Sequence, residues 1–184
     1  SIGQEKSIKF ICNHHEQACA IAAEAYSRSS DKLGVCLVTT GPGGTNTMTG
    51  VLGAWQDSIP VLYLSGQVKR DFMPQDGDGL RELGVQGADI ISMVKSITKY
   101  AVTVKDATQI RYHLEKACYL ARTGRPGPVW LDIPLDIQAT VIDETALAGF
   151  DPVAEGLVQT NQDVEFHKIS AVIDLIKTAE RPVI

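Results

Sequence analysis

Apolar runs of strand length alternate along this chain with segments in which apolar residues recur at helical spacing. Runs rich in Val, Ile, Leu and aromatic residues predict strands at 9–12, 34–39, 60–64, 100–104 and 128–133. The run at 34–39 is almost continuously apolar, which predicts a strand covered on both faces. Because strands and helices alternate, we expect the strands to pair in parallel through crossovers. The pattern therefore predicts an α/β protein with a three-layer α/β/α open parallel sheet.

Capping residues and helical spacing predict the helices between these strands. Asn13 is a candidate N-cap for a helix that ends near Arg28. The predicted packing face of that helix consists of Ala18, Ile21, Ala22 and Ala25. Other helices are predicted at 45–55, at 90–94, and from Asp106 to Arg122, with Gly124 as the C′ glycine. The polar, glycine-rich stretch 67–84 predicts a long loop, and such loops are often functional.

The regular alternation stops after about residue 140, which predicts three segments. Residues 1–140 form one α/β domain and residues 141–164 form a linker. Residues 165–184 begin a second, truncated domain with a helix and then an incipient strand at 181–184. Since the sequence starts without Met and stops within that strand, we expect it to be a piece of a longer protein.

Composition and charge exclude several classes of protein. The chain has 184 residues, with 17 Lys and Arg against 22 Asp and Glu, for a net charge of −5. Such a surface would not attract nucleic acid or an anionic membrane, and no apolar run approaches the ~20 residues that span a bilayer. The cysteines are Cys12, Cys19, Cys36 and Cys118. Their spacing fits neither a disulfide framework nor a CxxC motif, which predicts a reducing, cytoplasmic compartment.

Two segments place polar groups or free backbone N–H groups where predicted strands meet helices. Glu16 follows the run at 9–12 and begins a helix, so it is either a ligand-binding group or simply a charge that favours the helix dipole. The segment 39–46 joins a buried strand to a helix through Gly41, Gly43 and Gly44. Such glycines allow close backbone approach to a ligand, but a tight βα turn explains them equally well. The segment is neither a dinucleotide fingerprint nor a P-loop.

Other candidate sites are weaker. Cys12, His14, His15 and Cys19 form a possible but incomplete set of metal ligands. The segment 76–79 fails as a calcium loop because Leu80 stands where an oxygen ligand is needed. The apolar settings of Trp55, Trp130, Met48 and Met93 predict core positions.

Taken together, the motifs resemble the pyrimidine-binding domain of thiamine diphosphate enzymes, closest to the acetolactate synthase large-subunit branch. The similarity covers about residues 8–140. It is carried by HEQ at 15–17, AEAYSR at 23–28, TGPGGTN at 40–46, DSIP at 57–60, GQV at 66–68, SITK at 96–99 and GRPGPV at 124–129. The resemblance implies a thiamine diphosphate-binding fold that lacks its first βα unit here. It also implies that residues 165–184 open the family's middle domain.

The resemblance also implies roles for individual residues. Glu16 would be the catalytic glutamate that hydrogen-bonds N1′ of the cofactor's aminopyrimidine, which favours the imino form that activates the thiazolium. Pro42, Gly43 and Asn46 would line the pyrimidine pocket. Gln67 would line the site entrance as a further cofactor-binding residue. Gln86 matches a substrate-proximal glutamine, although Val85 and Gly87 replace its usual neighbours, which leaves the substrate open.

The implied function is that of a fragment of a 2-oxo acid decarboxylating carboligase, acting on a substrate such as pyruvate. Thiamine diphosphate would be the cofactor, with Mg²⁺ held by an absent diphosphate-binding domain and FAD possible in the full-length protein. The full-length protein would form a homodimer or homotetramer, and this chain alone would be inactive. Two alternatives stay open: another thiamine diphosphate-dependent 2-oxo acid decarboxylase, and a non-catalytic binding module of the same fold.

Overall fold

A computed structural model describes residues 2–74, 79–157 and 166–182 of the chain. The chain divides into two compact units, Ser1–Phe150 and Asp151–Ile184. The first unit contains the sheet, and the described residues of the second contain one helix, α7 (Phe166–Thr178). The segment bounds 1–140, 141–164 and 165–184 stay predictions. Residues 76–78 of the excluded calcium loop at 76–79, and residues 183–184 at the end of the incipient strand, lie outside the described residues.

The first unit is built on four parallel strands in the order β1-β2-β4-β3. The strands are β1 (Gly34–Val38), β2 (Val61–Gln67), β3 (Tyr100–Thr103) and β4 (Val129–Pro134). These confirm four of the five predicted strands and the three-layer α/β/α open parallel sheet. Because every strand runs the same way, their carboxyl ends lie at one edge, where ligands bind in open α/β sheets.

In the described part of the first unit, six helices precede, connect or follow these strands. They are α1 (Glu16–Ser30), α2 (Pro42–Asn46), α3 (Met48–Gln56), α4 (Ile90–Val94), α5 (Ile110–Arg122) and α6 (Leu135–Gln138). The single helix predicted at 45–55 is thus two, with Thr47 between them. The helix predicted from Asp106 begins as a 3-10 turn at Ala107–Gln109, which the Asp106 side chain caps through Thr108 N. No helix in the described part of the chain is long and apolar enough to cross a membrane.

Helix α1 packs through a different face from the one predicted. Ala18, Ile21, Ala22 and Ala25 are exposed. The buried positions are Ala20, Ala23 and Ser27, because the glycines opposite them allow the closest approach. A Cβ at Gly34 would overlap the Ala23 carbonyl, and a Cβ at Gly50 would lie 2.6 Å from the Ala20 Cβ. Close contact with glycine, rather than side-chain size, selects the buried face.

Two predictions about the sheet are wrong at its β1 side. Residues 9–12 form no strand, since no described strand pairs with them, and an unpaired segment gains nothing from an extended conformation. Phe10 and Ile11 are exposed there. β1 is buried on one face only: Val35 and Leu37 are about half exposed, at 52% and 54%. Helix α5 packs on β2, β3 and β4, so among the described helices of the first unit it leaves that face of β1 uncovered.

The core on the α1 side of the sheet contains the largest buried side chains. Trp130 is fully buried and its ring stacks on Tyr63 at 5.3 Å between centroids. The core prediction holds for Trp130, and Met48 packs against this core as a partly buried residue. It is wrong for Trp55 and Met93, which are 39% and 44% exposed. An apolar neighbourhood in sequence does not fix which side of a short helix faces inward.

Candidate functional site

Glu16 and Asn46 face each other across the end of the sheet. Glu16 is the first residue of α1 and Asn46 is the last residue of α2. Asn46 Nδ2 donates to Glu16 Oε2 at 3.1 Å. The sequence separation is 30 residues, so the contact depends on the packing of two elements rather than on local geometry. The candidate catalytic residue and a candidate pocket residue therefore lie together.

The Glu16 carboxyl is held by neutral donors. A hydrogen bond from its own backbone N–H, and then the bond from Asn46, lower the pKa of Glu16 below its usual range. No lysine or arginine within the described ranges forms an ion pair with Glu16. Its carboxylate is ionised at neutral pH and is not committed to a structural salt bridge. It is available to a ligand.

His15, not Asn13, caps α1. Its backbone is extended and its Nδ1 accepts from Gln17 N at 3.1 Å. The cap prediction was wrong because α1 begins two residues later than expected. The cap fixes the start of the helix at Glu16, which places the carboxyl in the first turn, where the helix dipole favours the charged form.

The glycine turn after β1 brings the backbone close to its neighbours. Gly41 has φ +60°, and a Cβ there would overlap the Gln86 carbonyl. A Cβ at Gly43 would lie 2.7 Å from Thr39 Cγ2 and 3.9 Å from Glu16 Oε1. The buried Gly43 therefore leaves open the space beside the carboxylate. Pro42, at the start of α2, is exposed next to that space.

Gln67 lies at the carboxyl end of β2 and is only 5% exposed. Its Nε2 donates to Ala88 O at 2.7 Å and to Asp132 Oδ2 at 3.0 Å. Its Oε1 accepts from Thr40 Oγ1 at 2.9 Å and from Val68 N at 3.0 Å. Since these contacts use every hydrogen-bonding position of the amide, Gln67 supports the glycine turn from behind. Its assignment as a cofactor-binding residue stays a prediction.

Gln86 is exposed and its backbone has φ +61°. Its carbonyl packs on Gly41 and lies 3.3 Å from Thr40 Oγ1, while its N–H donates to Glu82 Oε1 at 3.0 Å. A positive φ is costly for a residue with a side chain and is often found at functional sites. The structure thus brings the backbone of Gln86 onto the same turn as Pro42 and Gly43.

A small apolar cavity opens next to Gln86. Its volume is about 360 Å³, and its lining consists of Val68, Lys69, Phe72, Leu83, Gly84, Val85 and Leu135. This cavity adjoins the turn through Val68 and Val85, the chain neighbours of Gln67 and Gln86. Apart from Lys69, the side chains that line it are apolar.

The electrostatics of the site disfavour a phosphate ligand. The carboxylate of Glu16 places a negative charge beside the turn. The four ion pairs of the described residues do not include Glu16; they join Arg28 to Glu24 and Asp57, Arg70 to Asp136, and Arg111 to Glu115. Within the described ranges, no three His, Cys, Asp or Glu side chains come together as a metal site would require. A carboxylate only accepts hydrogen bonds, so beside an uncharged cradle it suits a ring nitrogen that carries or shares a proton better than it suits an anion.

Asp132 was missed by the sequence analysis. It lies in β4, is 1% exposed, and belongs to the hydrogen-bond network behind the turn. The signal was present, because a carboxylate inside the apolar run 128–133 is rare unless it is hydrogen-bonded. The hydrogen-bond partners of Asp132 could not be predicted, because they lie on other strands.

Comparison with known proteins gives a consistent set of similarities. The family model described as thiamine pyrophosphate enzyme, N-terminal TPP binding domain, matches residues 1–93. The mitochondrial acetolactate synthase of Schizosaccharomyces pombe is 35% identical over 189 residues, covering 100% of this chain and 27% of the yeast protein. The acetolactate synthase of Arthrospira platensis is 36% identical, covering 98% of this chain and 30% of that protein.

A shorter match has a higher identity. The acetolactate synthase large subunit of Haemophilus influenzae is 43% identical over 129 residues, which cover 70% of this chain and 21% of that protein. The chain therefore spans between a fifth and a third of the length of these relatives.

Proposed function

Because this chain belongs to the thiamine pyrophosphate enzyme family, whose N-terminal TPP-binding domain it matches, we propose that its site binds the aminopyrimidine ring of that cofactor. The observation that carries the proposal is the pairing of Glu16 with Asn46 beside the space that Gly43 leaves open. The Glu16 carboxyl would share a proton with the ring nitrogen N1′ in a hydrogen bond, and Pro42 and Asn46 would bound the ring.

The residues present fit this ligand. A Cβ at Gly43 would come within 3.9 Å of the carboxylate and narrow the cradle. The ionised Glu16 is a hydrogen-bond acceptor and, once protonated, a donor, so it can exchange a proton with a heterocyclic nitrogen. When bound, the cofactor supplies the nucleophilic carbon and the electron sink for decarboxylation of a 2-oxo acid.

The other residues would orient and shield the ring. Gln67 holds the turn from behind through Thr40, and Gln86 lies on the far side of Gly41, next to the apolar cavity. A substrate carbon would approach from the Gln86 side. The lining of the cavity would present a mainly apolar surface on that side.

For the full-length protein we propose an acetolactate synthase-like carboligase that acts on pyruvate. Support comes from the named relatives, all of which are acetolactate synthases. A diphosphate-binding domain from another part of the protein, or from a second subunit, would hold Mg²⁺ and the diphosphate. A homodimer or homotetramer, a bound FAD and a cytoplasmic location belong to the same proposal. This chain alone would not turn over substrate.

The experiment is an assay of the full-length protein with pyruvate, thiamine diphosphate and Mg²⁺. Acetolactate as product is the expected result. Release of an aldehyde without a coupled product would identify another 2-oxo acid decarboxylase of the family. Cofactor binding without any turnover would indicate a non-catalytic module.

A further inference from the structure

A buried carboxylate that the proposed function does not use lies behind the glycine turn. Asp132 is 1% exposed. Its Oδ1 accepts from Ser65 Oγ at 2.6 Å, and its Oδ2 accepts from Gln67 Nε2 at 3.0 Å and from Thr103 Oγ1 at 3.3 Å. These donors are neutral, so they stabilise the ion less than a cation would, and burial raises the pKa of Asp132 to about 6.

The orientation of the Gln67 amide is set by this carboxylate together with the Ala88 carbonyl. With Nε2 toward Asp132 and Ala88 O, the amide oxygen faces Thr40 Oγ1 and Val68 N. If the amide were reversed, its oxygen would face two acceptors and its nitrogen would face the Val68 N–H. An ionised Asp132, which only accepts hydrogen bonds, therefore favours a single orientation.

Gln67 transmits that orientation to the candidate site. Thr40 directly precedes Gly41, and its hydroxyl bonds Gln67 and also lies 3.3 Å from Gln86 O. The Gln86 carbonyl in turn packs against Gly41. A continuous set of contacts thus runs from the buried carboxylate to the turn that carries Pro42 and Gly43.

We propose that Asp132 is a positioning residue for the cofactor site: its ionised carboxylate fixes the Gln67 amide, which holds the turn at 40–43 and the Gln86 backbone in the geometry that binds the ring. The proposal rests on the proposed function of that turn. Protonation adds a hydrogen and turns one oxygen of Asp132 into a donor, although Ser65, Gln67 and Thr103 all donate hydrogen bonds to this carboxylate. Thr103, the most distant donor, can rotate its hydroxyl to accept that hydrogen, and the bond from Gln67 then weakens.

The surroundings of Asp132 make it the group that titrates in this network. β2 and β3 present Ser65, Gln67 and Thr103, which do not titrate near neutral pH. The loop before α4 presents Asp89, whose negative charge also favours protonation of Asp132. Trp130 Nε1 donates to Ser65 Oγ at 2.8 Å. The indole N–H therefore reports on the hydroxyl that bonds Asp132.

The network can be tested without cofactor. In ¹H–¹⁵N NMR spectra of this chain, the Trp130 indole and the Gln67 side-chain amide should shift together with one midpoint near pH 6, and Asp132→Asn should abolish the shift. The introduced amide can direct its oxygen to Gln67 and its nitrogen to the second lone pair of Ser65 Oγ, so the variant keeps the Gln67 orientation. If Asp132→Asn does not fold, Thr103→Val serves instead, because loss of a donor to the ion should raise the midpoint. Independent or absent titration of the two signals overturns the proposal.

The link to the site is tested by cofactor affinity of the full-length protein. Between pH 7 and pH 5 the half-saturating thiamine diphosphate concentration should rise about fivefold in the wild type, at the lower end of coupling between sites. The rise should be absent in Asp132→Asn, which keeps His15 and Glu16, and should begin at higher pH in Thr103→Val. An unchanged profile in Asp132→Asn overturns the positioning role. A wild type that binds no cofactor at any pH contradicts the proposed function as well, whereas the NMR titration would still be seen.

Discussion

Asn46 Nδ2 lies 3.1 Å from Glu16 Oε2, and this contact joins the N-terminus of α1 to the C-terminus of α2. It fixes the direction of the carboxylate at the position where the proposed ring nitrogen would lie. The amide is one of the groups that lower the pKa of Glu16. Asn46 therefore orients the Glu16 carboxylate and, after the hydrogen bond from the backbone N–H of Glu16 itself, helps to lower its pKa.

Replacing Asn46 with Asp should weaken cofactor binding. The new carboxylate would face Glu16 at hydrogen-bond distance, and like-charge repulsion would raise the pKa of Glu16 and turn the two groups apart. We expect the half-saturating thiamine diphosphate concentration of the full-length protein to rise about fivefold or more. Gln56→Glu, which adds the same charge at an exposed position on α3, is the matched control and should leave that concentration unchanged. If Asn46→Asp and Gln56→Glu raised the half-saturating concentration equally, the effect would come from the added charge in general and not from the contact between Asn46 and Glu16.

Replacing Gly41 with Ala should destabilise the protein. Its φ of +60° is unfavourable for alanine, and the added Cβ would overlap the Gln86 carbonyl. We expect the free energy of unfolding in urea to fall by about 1–3 kcal/mol. Gly53→Ala is the control, because nothing lies within 4 Å of a Cβ there and α3 is helical. That change should raise the free energy of unfolding by up to about 1 kcal/mol. If Gly41→Ala left the free energy of unfolding unchanged, the backbone of the turn would not be constrained at this position.

The raised pKa of Asp132, to about 6 from 3.8, should appear in the pH dependence of stability. The folded state holds this proton more tightly than the unfolded state, so the contribution of Asp132 is fully present below about pH 4. It is lost as the pH rises through about 6 and amounts to on the order of 3 kcal/mol. Asp106 and Asp136 have lowered pKa values and act in the opposite direction at lower pH. The measurement is therefore the difference between wild type and Asp132→Asn in urea unfolding from pH 4 to pH 7. A difference that does not change with pH would contradict the raised pKa.

Replacing Tyr63 with Phe should leave stability unchanged or increase it. In the described part of the chain the Tyr63 hydroxyl is buried without a hydrogen-bond partner, while its ring stacks on Trp130. Removing an unpaired buried hydroxyl should raise the free energy of unfolding by up to about 1 kcal/mol. Tyr100→Phe is the comparison, since Tyr100 Oη lies 2.7 Å from His113 Nδ1, and that variant should be less stable than the wild type. The reverse order of the two variants in thermal unfolding would contradict the assignment.

The sequence predicted the strand positions better than it predicted what covers them. Apolar runs predicted the positions of β1 to β4 correctly, because each of these segments has a neighbouring strand with which it pairs. The run at 9–12 has the same composition but no described partner, and no property of those residues alone reveals that. Likewise, the exposure of Val35 depends on which helices reach β1, which is a property of the whole sheet.

The site was predicted in part because its residues fall at the ends of elements. Glu16 and Asn46 lie at helix ends next to strand ends, which the order of elements already places at one edge. Their direct hydrogen bond was not predicted, nor was the burial of Gln67. Both depend on side-chain directions set by long-range packing, as does the network around Asp132.

The central claim, that the Glu16 carboxyl acts on the cofactor ring, is tested most directly by Glu16→Gln in the full-length protein. Glutamine keeps the size of the side chain and can still contact Asn46, but it cannot exchange a proton. We predict a loss of at least ~100-fold in thiamine diphosphate-dependent turnover of pyruvate, with an unfolding transition like that of the wild type. Turnover at the wild-type rate would show that Glu16 is only a charge at the start of α1.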